Sequence, residues 1–226
     1  MAYKHNAPFH ADVVGSYLRP AELKAAREDF AAGKIDAAEL KAVEDKAITE
    51  LVTKQKATGL HVITDGEFRR AYWHLDFMWG LQGVSKGTNP VAVHGSNGSE
   101  VTETAAVSGE ISGENHPFIE HFKFVKQFED DNTVAKITVP SPAQTLFLLQ
   151  AGAAEDFTNP YANDDKLAEA LVKAYSQVTR DLFDAGCRNL QLDDCTWGML
   201  VSEDFKDSVF GRDPKAVQRQ YAGINN

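Results

Sequence analysis

Residues 163–194, NDDKLAEALVKAYSQVTRDLFDAGCRNLQLDD, carry the reading of the fold. Leu167, Leu171, Ala174, Val178, Leu182 and Phe183 recur at helical spacing, which predicts an amphipathic helix. Asn163 is placed to cap its start and Gly186 to close its end. The run Arg188-Asn189-Leu190-Gln191-Leu192 then reads as a short buried strand and ends in Asp193-Asp194. The same order occurs earlier, in residues 36–67, DAAELKAVEDKAITELVTKQKATGLHVITDGE. Here Leu40, Val43, Ala47, Ile48, Leu51 and Val52 form the apolar stripe. Asp36 and Glu39 make a capping box, and Gly59 ends the helix. The run His61-Val62-Ile63-Thr64 follows and meets Asp65-Gly66-Glu67. Helix, glycine, short strand and acidic strand end, twice over, is the alternation of an α/β fold with parallel strands.

Two more strands fit the scheme. Asp12-Val13-Val14 runs into Gly15-Ser16, and the segment 134–139 runs into Pro140-Ser141-Pro142. The Gly-, Ser- and Thr-rich stretch near 81–111 reads as an inserted β-hairpin. About four parallel strands result, near 12–15, 61–65, 134–139 and 189–193. A closed (β/α)8 barrel needs eight. An open four-stranded sheet would leave long stretches of this chain outside its core. The expectation is therefore a single α/β domain over 1–226, a partial (β/α)8 TIM-type barrel forming the N-terminal half.

Composition limits the function. The 226 residues are 43% hydrophobic and 25% charged, ordinary globular proportions that exclude a disordered or fibrous chain. Lys+Arg 23 against Asp+Glu 33 leaves a net charge of −10, and the pI is near 5.1. Such a chain repels phosphate backbones and anionic lipid, so neither nucleic acid nor a membrane is expected as a partner. No apolar run approaches the ~18 residues of a membrane span, and the opening MAYKHNAPFHADVV lacks a signal-peptide core. Cys187 and Cys195 make no disulfide framework. These features lead to the expectation of a soluble cytoplasmic protein.

The candidate residues stand at strand ends, where parallel α/β folds gather their ligand sites. In Asp65-Gly66-Glu67, a carboxylate either binds a substrate ammonium or caps the next turn. Asp193-Asp194 holds the equivalent position on another strand, with the same two readings. Adjacent carboxylates in an apolar setting call for a cationic partner. Gly15-Ser16 offers close backbone approach, free N–H groups and a hydroxyl, suited to an anion, or else it is a plain turn. The histidines form no metal-ligand spacing; His116 and His121 read as an exposed pair on one helix face. Cys187 and Cys195 read as small packing residues. Tyr72, Trp73, Phe77, Met78 and Trp79 read as core or interface, or else as the lining of a pocket for a flat ligand.

Four motifs then occur in order: HADVVGSYLRP (10–20), VITDGEFRR (62–70), KITVPSPAQT (136–145) and LQLDDCTWG (190–198). Together they resemble the cobalamin-independent methionine synthase family, especially its short single-barrel relatives. That resemblance implies a (β/α)8 catalytic barrel in which a zinc-bound homocysteine thiolate takes a methyl group from a methyltetrahydrofolate. It also implies that Gly15 and Ser16 hold the amino acid carboxylate and that Glu67 and Asp193 bind its ammonium. His10, Asp65, Asp194 and Trp197 would be site neighbours. Asp194 and Cys195 stand where the family has glutamate and proline.

The departures from the family are chemical. Its zinc ligands are a His-x-Cys pair, a glutamate and a second cysteine from later strands, and none is present in this sequence. Phe147-Leu148 replaces a tryptophan expected to stack on the folate, which leaves the methyl donor open. A free homocysteine thiol is mostly protonated at neutral pH, and zinc makes it a thiolate. The chain alone is thus expected to bind a homocysteine-like amino acid thiol but to transfer no methyl group. It is also expected to pair as a homo-oligomer, because half a barrel exposes a sheet edge and apolar surface. Two alternatives stay open: zinc-dependent alkyl transfer to another thiol such as coenzyme M, and a non-catalytic amino acid-binding or oligomerising module.

Overall fold

A computed structural model describes residues 12–89, 102–151, 159–202 and 211–226. In chain order the elements are α1 (Ala21–Ala31), α2 (Ala37–Ala57), β1 (Val62–Ile63), α3 (Leu75–Gly80), β2 (Gln82–Asn89), β3 (Thr102–Ser112) and α4 (Phe118–Lys126). Then come β4 (Val134–Ala135), β5 (Ile137–Pro140), α5 (Pro142–Ala151), α6 (Asp164–Asp184), β6 (Leu190–Asp193), α7 (Thr196–Leu200) and α8 (Pro214–Asn225). The described residues fall into two compact units interleaved along the chain. The first draws on 12–71, 117–138 and 182–191, and the second on 72–116, 139–181 and 192–226.

In the first unit α2 begins where its sequence dictates. Asp36 accepts the Glu39 N–H at 2.9 Å, and the Glu39 carboxylate accepts the Asp36 N–H at 2.9 Å. This reciprocal pair satisfies two donors that a helix start leaves open. Glu44, Ala47, Ile48, Val52 and Gln55 form the buried face, and α1 and β1 pack on this helix. Parallel pairing joins Val62 to Val134 and Ile63 to Ala135. On the other side of the same segment, the Ile137 N–H donates to Asn189 O at 3.2 Å. Residues 134–138 therefore form the middle strand, with β1 and the start of β6 as its neighbours.

The first expected strand, near 12–15, is absent as a ladder. Only Ser16 makes a parallel bridge, to Gly66. The physical reason is that side chains take the carbonyls a partner strand would use. Lys136 Nζ donates to Val13 O, Gln191 Nε2 to Val14 O at 2.8 Å, and Thr64 Oγ1 to Gly15 O at 2.7 Å. Lys136 is buried and also meets the Asp12 carboxylate at 3.0 Å. The segment is thus seated beside β1 by long side chains rather than by backbone pairing.

The second unit contains the expected hairpin: β2 and β3 pair antiparallel from Val84↔Val107 to Asn89↔Thr102, with an irregularity at Gln82/Val84. Residues 90–101 of the predicted insertion lie outside the described residues. The Lys166 N–H donates to the Asn163 side chain at 3.0 Å, so Asn163 caps α6 as expected. β5 and β6 continue into this unit, where the Ser141 N–H reaches Asp193 O at 2.7 Å. The offset matches that of Ile137 and Asn189, so the pair runs parallel.

Three smaller expectations are corrected. His116 is not exposed and not on a helix: it precedes α4 and is buried, its ring 4.4 Å from that of Phe77 and its Nε2 2.9 Å from Phe77 O. Phe183 lies outside the apolar face of α6 and is 56% exposed; the Arg188 guanidinium, 3.7 Å from its ring centre, gives it a cation–π partner at the surface in place of a core contact. Of the cysteines, Cys187 is buried and Cys195 exposed, so only the first is a packing residue. The fold is mixed α/β with short parallel strands.

Candidate functional site

After β1 the chain turns sharply through Thr64-Asp65-Gly66-Glu67. Gly66 and Glu67 both adopt left-handed backbone, with φ of +67° and +58°. Glycine does so freely, whereas a residue with a side chain gives up about 1–2 kcal/mol there. Such a conformation persists only where the surroundings fix it. Here they do. Asp65 Oδ1 accepts the Glu67 N–H at 2.8 Å, and Thr64 Oγ1 accepts the Gly66 N–H at 3.1 Å. Arg19 Nη2 donates to Glu67 O and Arg70 O, both at 2.9 Å, and Arg27 donates to Phe68 O. Tyr17 N–H reaches Gly66 O at 3.1 Å.

The Glu67 side chain is held as tightly as its backbone. It is buried, and its Oε1 accepts the Thr138 hydroxyl at 2.9 Å. Arg70 Nη1 lies 3.5 Å from the same oxygen. Arg70 is itself fully buried: its Nη2 donates to Thr138 O at 2.7 Å, and its guanidinium lies 4.4 Å from the Phe118 ring centre. A carboxylate taken out of water needs partners of this kind. Farther along the turn, Arg69 binds Glu44 at 3.0 Å and also Asp45. Burial still pushes the Glu44 carboxyl above its ordinary value, against Arg69 and Arg27.

Gly15 and Ser16 sit against this turn. A Cβ on Gly15 would come within 2.6 Å of the Thr138 γ-methyl, so the backbone approaches β5 more closely than any side chain permits. Ser16 is exposed beside Gly66. The first unit therefore brings together Gly15, Ser16, Asp65 and Glu67, four residues singled out in the sequence. Of its two carboxylates, Asp65 takes the local turn-capping role and Glu67 does not.

The other candidates lie in the second unit. Asp193 ends β6 with its carbonyl bound to the Ser141 N–H. Asp194 lies just ahead of α7: it accepts hydrogen bonds from the Thr196 N–H at 2.8 Å, the Thr196 hydroxyl, and Asn225 Nδ2 at 2.9 Å. Burial pushes Asp194 up, but these bonds and one from Ser141 together hold it below the usual carboxylate range. Its observed role is a local turn just ahead of α7, whose N-cap residue is Cys195 and has no side-chain cap. Trp197 is on α7 and exposed. His10 lies outside the described residues.

Sequence reasoning missed Arg19, Arg27, Arg70 and Thr138. Three of them stand inside the motifs already quoted, so a signal was present in the arginines of SYLRP and EFRR and in the threonine of KITVP. Their pairing was not legible, because Arg70 and Thr138 are 68 residues apart in the chain. Among the described residues, no group of three or more His, Cys, Asp or Glu side chains is arranged to hold a metal ion. Nor is any helix among them long and apolar enough to cross a membrane.

Comparison with known proteins gives the family of the chain. Residues 9–209 match the family described as "Cobalamin-independent synthase, Catalytic domain". Uncharacterized protein YxjG of Bacillus subtilis (strain 168) is 39% identical over 95% of this chain and 56% of its own length. Methionine synthase of Saccharolobus solfataricus is 27% identical over 91% of this chain and 60% of its own. A crystal structure from Listeria monocytogenes, provisionally described as a vitamin-B12-independent methionine synthase, superposes with a TM-score of 0.80. It is 41% identical and covers 98% of this chain and 61% of that one. The chain thus spans a little over half the length of the relatives it matches. It belongs to the cobalamin-independent synthase catalytic-domain family.

Proposed function

We propose that this chain binds a homocysteine-like amino acid thiol, with Gly15 and Ser16 taking the carboxylate and Glu67 the ammonium. The observation that carries the reading is the buried Glu67 carboxylate, fixed at a strand end in a left-handed turn directly beside the Gly15-Ser16 backbone. Strain held in place around one acidic side chain is a mark of a functional site. Asp193 enters as a second ammonium ligand from the sequence motif alone. On this reading the strand segments are half of a (β/α)8 barrel, and the chain acts in the cytoplasm and pairs with a second copy.

Methyl transfer is a separate matter. In the family, zinc makes the substrate thiol a thiolate and so a nucleophile. The residues of this chain do not fit such a centre: the sequence has no His-x-Cys, and the described donors do not cluster. What its own residues supply is the grip on the zwitterion. We therefore propose negligible transfer from methyltetrahydrofolate by this chain alone.

Titration calorimetry of L-homocysteine against the purified chain tests the reading. Binding is expected without added zinc, weakened at least tenfold by Glu67→Gln and by Asp193→Asn, and without methionine formation when methyltetrahydrofolate is added. Coenzyme M, which has no ammonium, serves as the competing ligand. Tighter binding of coenzyme M that is indifferent to Glu67→Gln would replace homocysteine with that other thiol. No binding of either would overturn the proposal.

A further inference from the structure

We propose that Thr138 is the positioning residue of the amino acid grip, setting the Glu67 carboxylate with its hydroxyl and the Gly15-Ser16 turn with its methyl. The inference rests on the reading that those two elements hold one zwitterion. Thr138 is 2% exposed. Its hydroxyl donates to Glu67 Oε1 at 2.9 Å. Its γ-methyl fills the space where a Gly15 Cβ would stand, 2.6 Å from that point. Its carbonyl accepts Arg70 Nη2 at 2.7 Å, and Arg70 Nη1 approaches the same Glu67 oxygen. One residue on β5 thus touches both halves of the proposed grip and the Arg70 cation beside Glu67.

The physical consequence is preorganisation. A carboxylate left to choose its rotamer must be ordered when the ligand arrives, and that cost weakens binding. A hydroxyl donor on Oε1 fixes the rotamer beforehand. Among the described residues, the charged groups around Glu67 include Arg70 on its own turn, Arg19 on its carbonyl, and Asp65 on its N–H. Arginine supplies charge but reaches Oε1 only at 3.5 Å, so the shorter directional bond comes from Thr138. Valine at 138 keeps the shape and removes the donor, while serine keeps the donor and removes the methyl.

The test uses the whole chain with 13C-labelled glutamate side chains, the Glu67 signal being assigned by its absence in Glu67→Gln. Its carboxyl shift is followed through an acid titration in wild type, Thr138→Val and Thr138→Ser, and each protein is titrated with L-homocysteine. Losing a donor to the charged form should raise the Glu67 midpoint in Thr138→Val by roughly half a unit to one unit. The Kd for L-homocysteine should rise about tenfold. Thr138→Ser should restore the midpoint and most of the affinity, which a purely structural role for Thr138 would not do. If Thr138→Val fails to fold, Thr138→Ala carries the same measurement. An unchanged neutral-pH shift and midpoint in the donor-lacking variant overturns the proposal, whatever the ligand result. A moved midpoint with no homocysteine binding by wild type overturns the amino acid reading and leaves Thr138 as the residue that sets Glu67.

Discussion

Gly15 has little freedom to change. Its φ of +148° is one that residues with side chains rarely adopt, and a Cβ would strike the Thr138 γ-methyl at 2.6 Å and Oγ1 at 3.4 Å. Gly15→Ala should therefore destabilise the chain by about 2–3 kcal/mol, the range for overpacking together with a strained backbone. Urea unfolding measures it. Adding Thr138→Ser, which removes the methyl, should recover part of the loss, whereas additive losses would show that the two residues do not meet. At Glu67 the argument runs through charge. Glu67→Ala relieves left-handed strain only slightly and strips the buried Arg70 of its carboxylate. We expect a net loss of about 3 kcal/mol. The sequence pointed to Gly15 and Glu67 because a glycine after a strand and an acid at a strand end are local signals. It could not point to Arg70 or Thr138, whose meaning comes only from what the fold sets against them.

Elements were legible where their signals are local. In α2 the capping box, the apolar stripe and the closing glycine lie within one stretch, and each appears in the structure. Asp36→Ala should cost about 1 kcal/mol in a thermal or urea melt, with Asp36→Asn recovering most of it. The segment near 12–15 shows the converse. Its apolar alternation suits a strand, but Lys136, Gln191 and Thr64 take its carbonyls, and no local pattern announces partners so far along the chain. The start of α7 lies between these cases, since Asp194 offered two readings and the structure gives it a local turn onto Thr196, one residue ahead of the N-cap Cys195. Asp194→Ala removes a charged acceptor from Thr196 and Asn225 and should lower stability by about 1–2 kcal/mol. The pH dependence has a definite sign. With its folded value held below the ordinary 3.8, Asp194 contributes fully above that pH and loses the contribution as pH falls through the depressed value. Acid unfolding followed by circular dichroism should therefore be less steep in Asp194→Asn, and an unchanged acid limb would show that Asp194 is equally charged in both states.

At the scale of the whole chain the open question is what covers its apolar surface. In the second unit Leu192 is 44% exposed, Trp197 42% and Val201 76%, all within one stretch around the end of β6. β6 pairs with β5, and among the described residues no strand lies along its other edge. Parallel strands are ordinarily flanked on both sides, and an open edge beside apolar side chains is a pairing surface. Against association stands the net charge of −10, which makes two copies repel. The two effects respond differently to salt: screening weakens the repulsion and leaves apolar attraction in place. Sedimentation velocity at micromolar concentrations should thus show a concentration-dependent dimer whose fraction grows between low salt and 0.5 M sodium chloride. Leu192→Lys and Val201→Lys should each shift the equilibrium towards monomer while leaving the circular dichroism spectrum unchanged. An apolar dye should bind the monomer more than the dimer. If the chain sediments as a monomer at every concentration and salt level and binds no dye, self-pairing is wrong, and the exposed stretch around β6 is not an association surface.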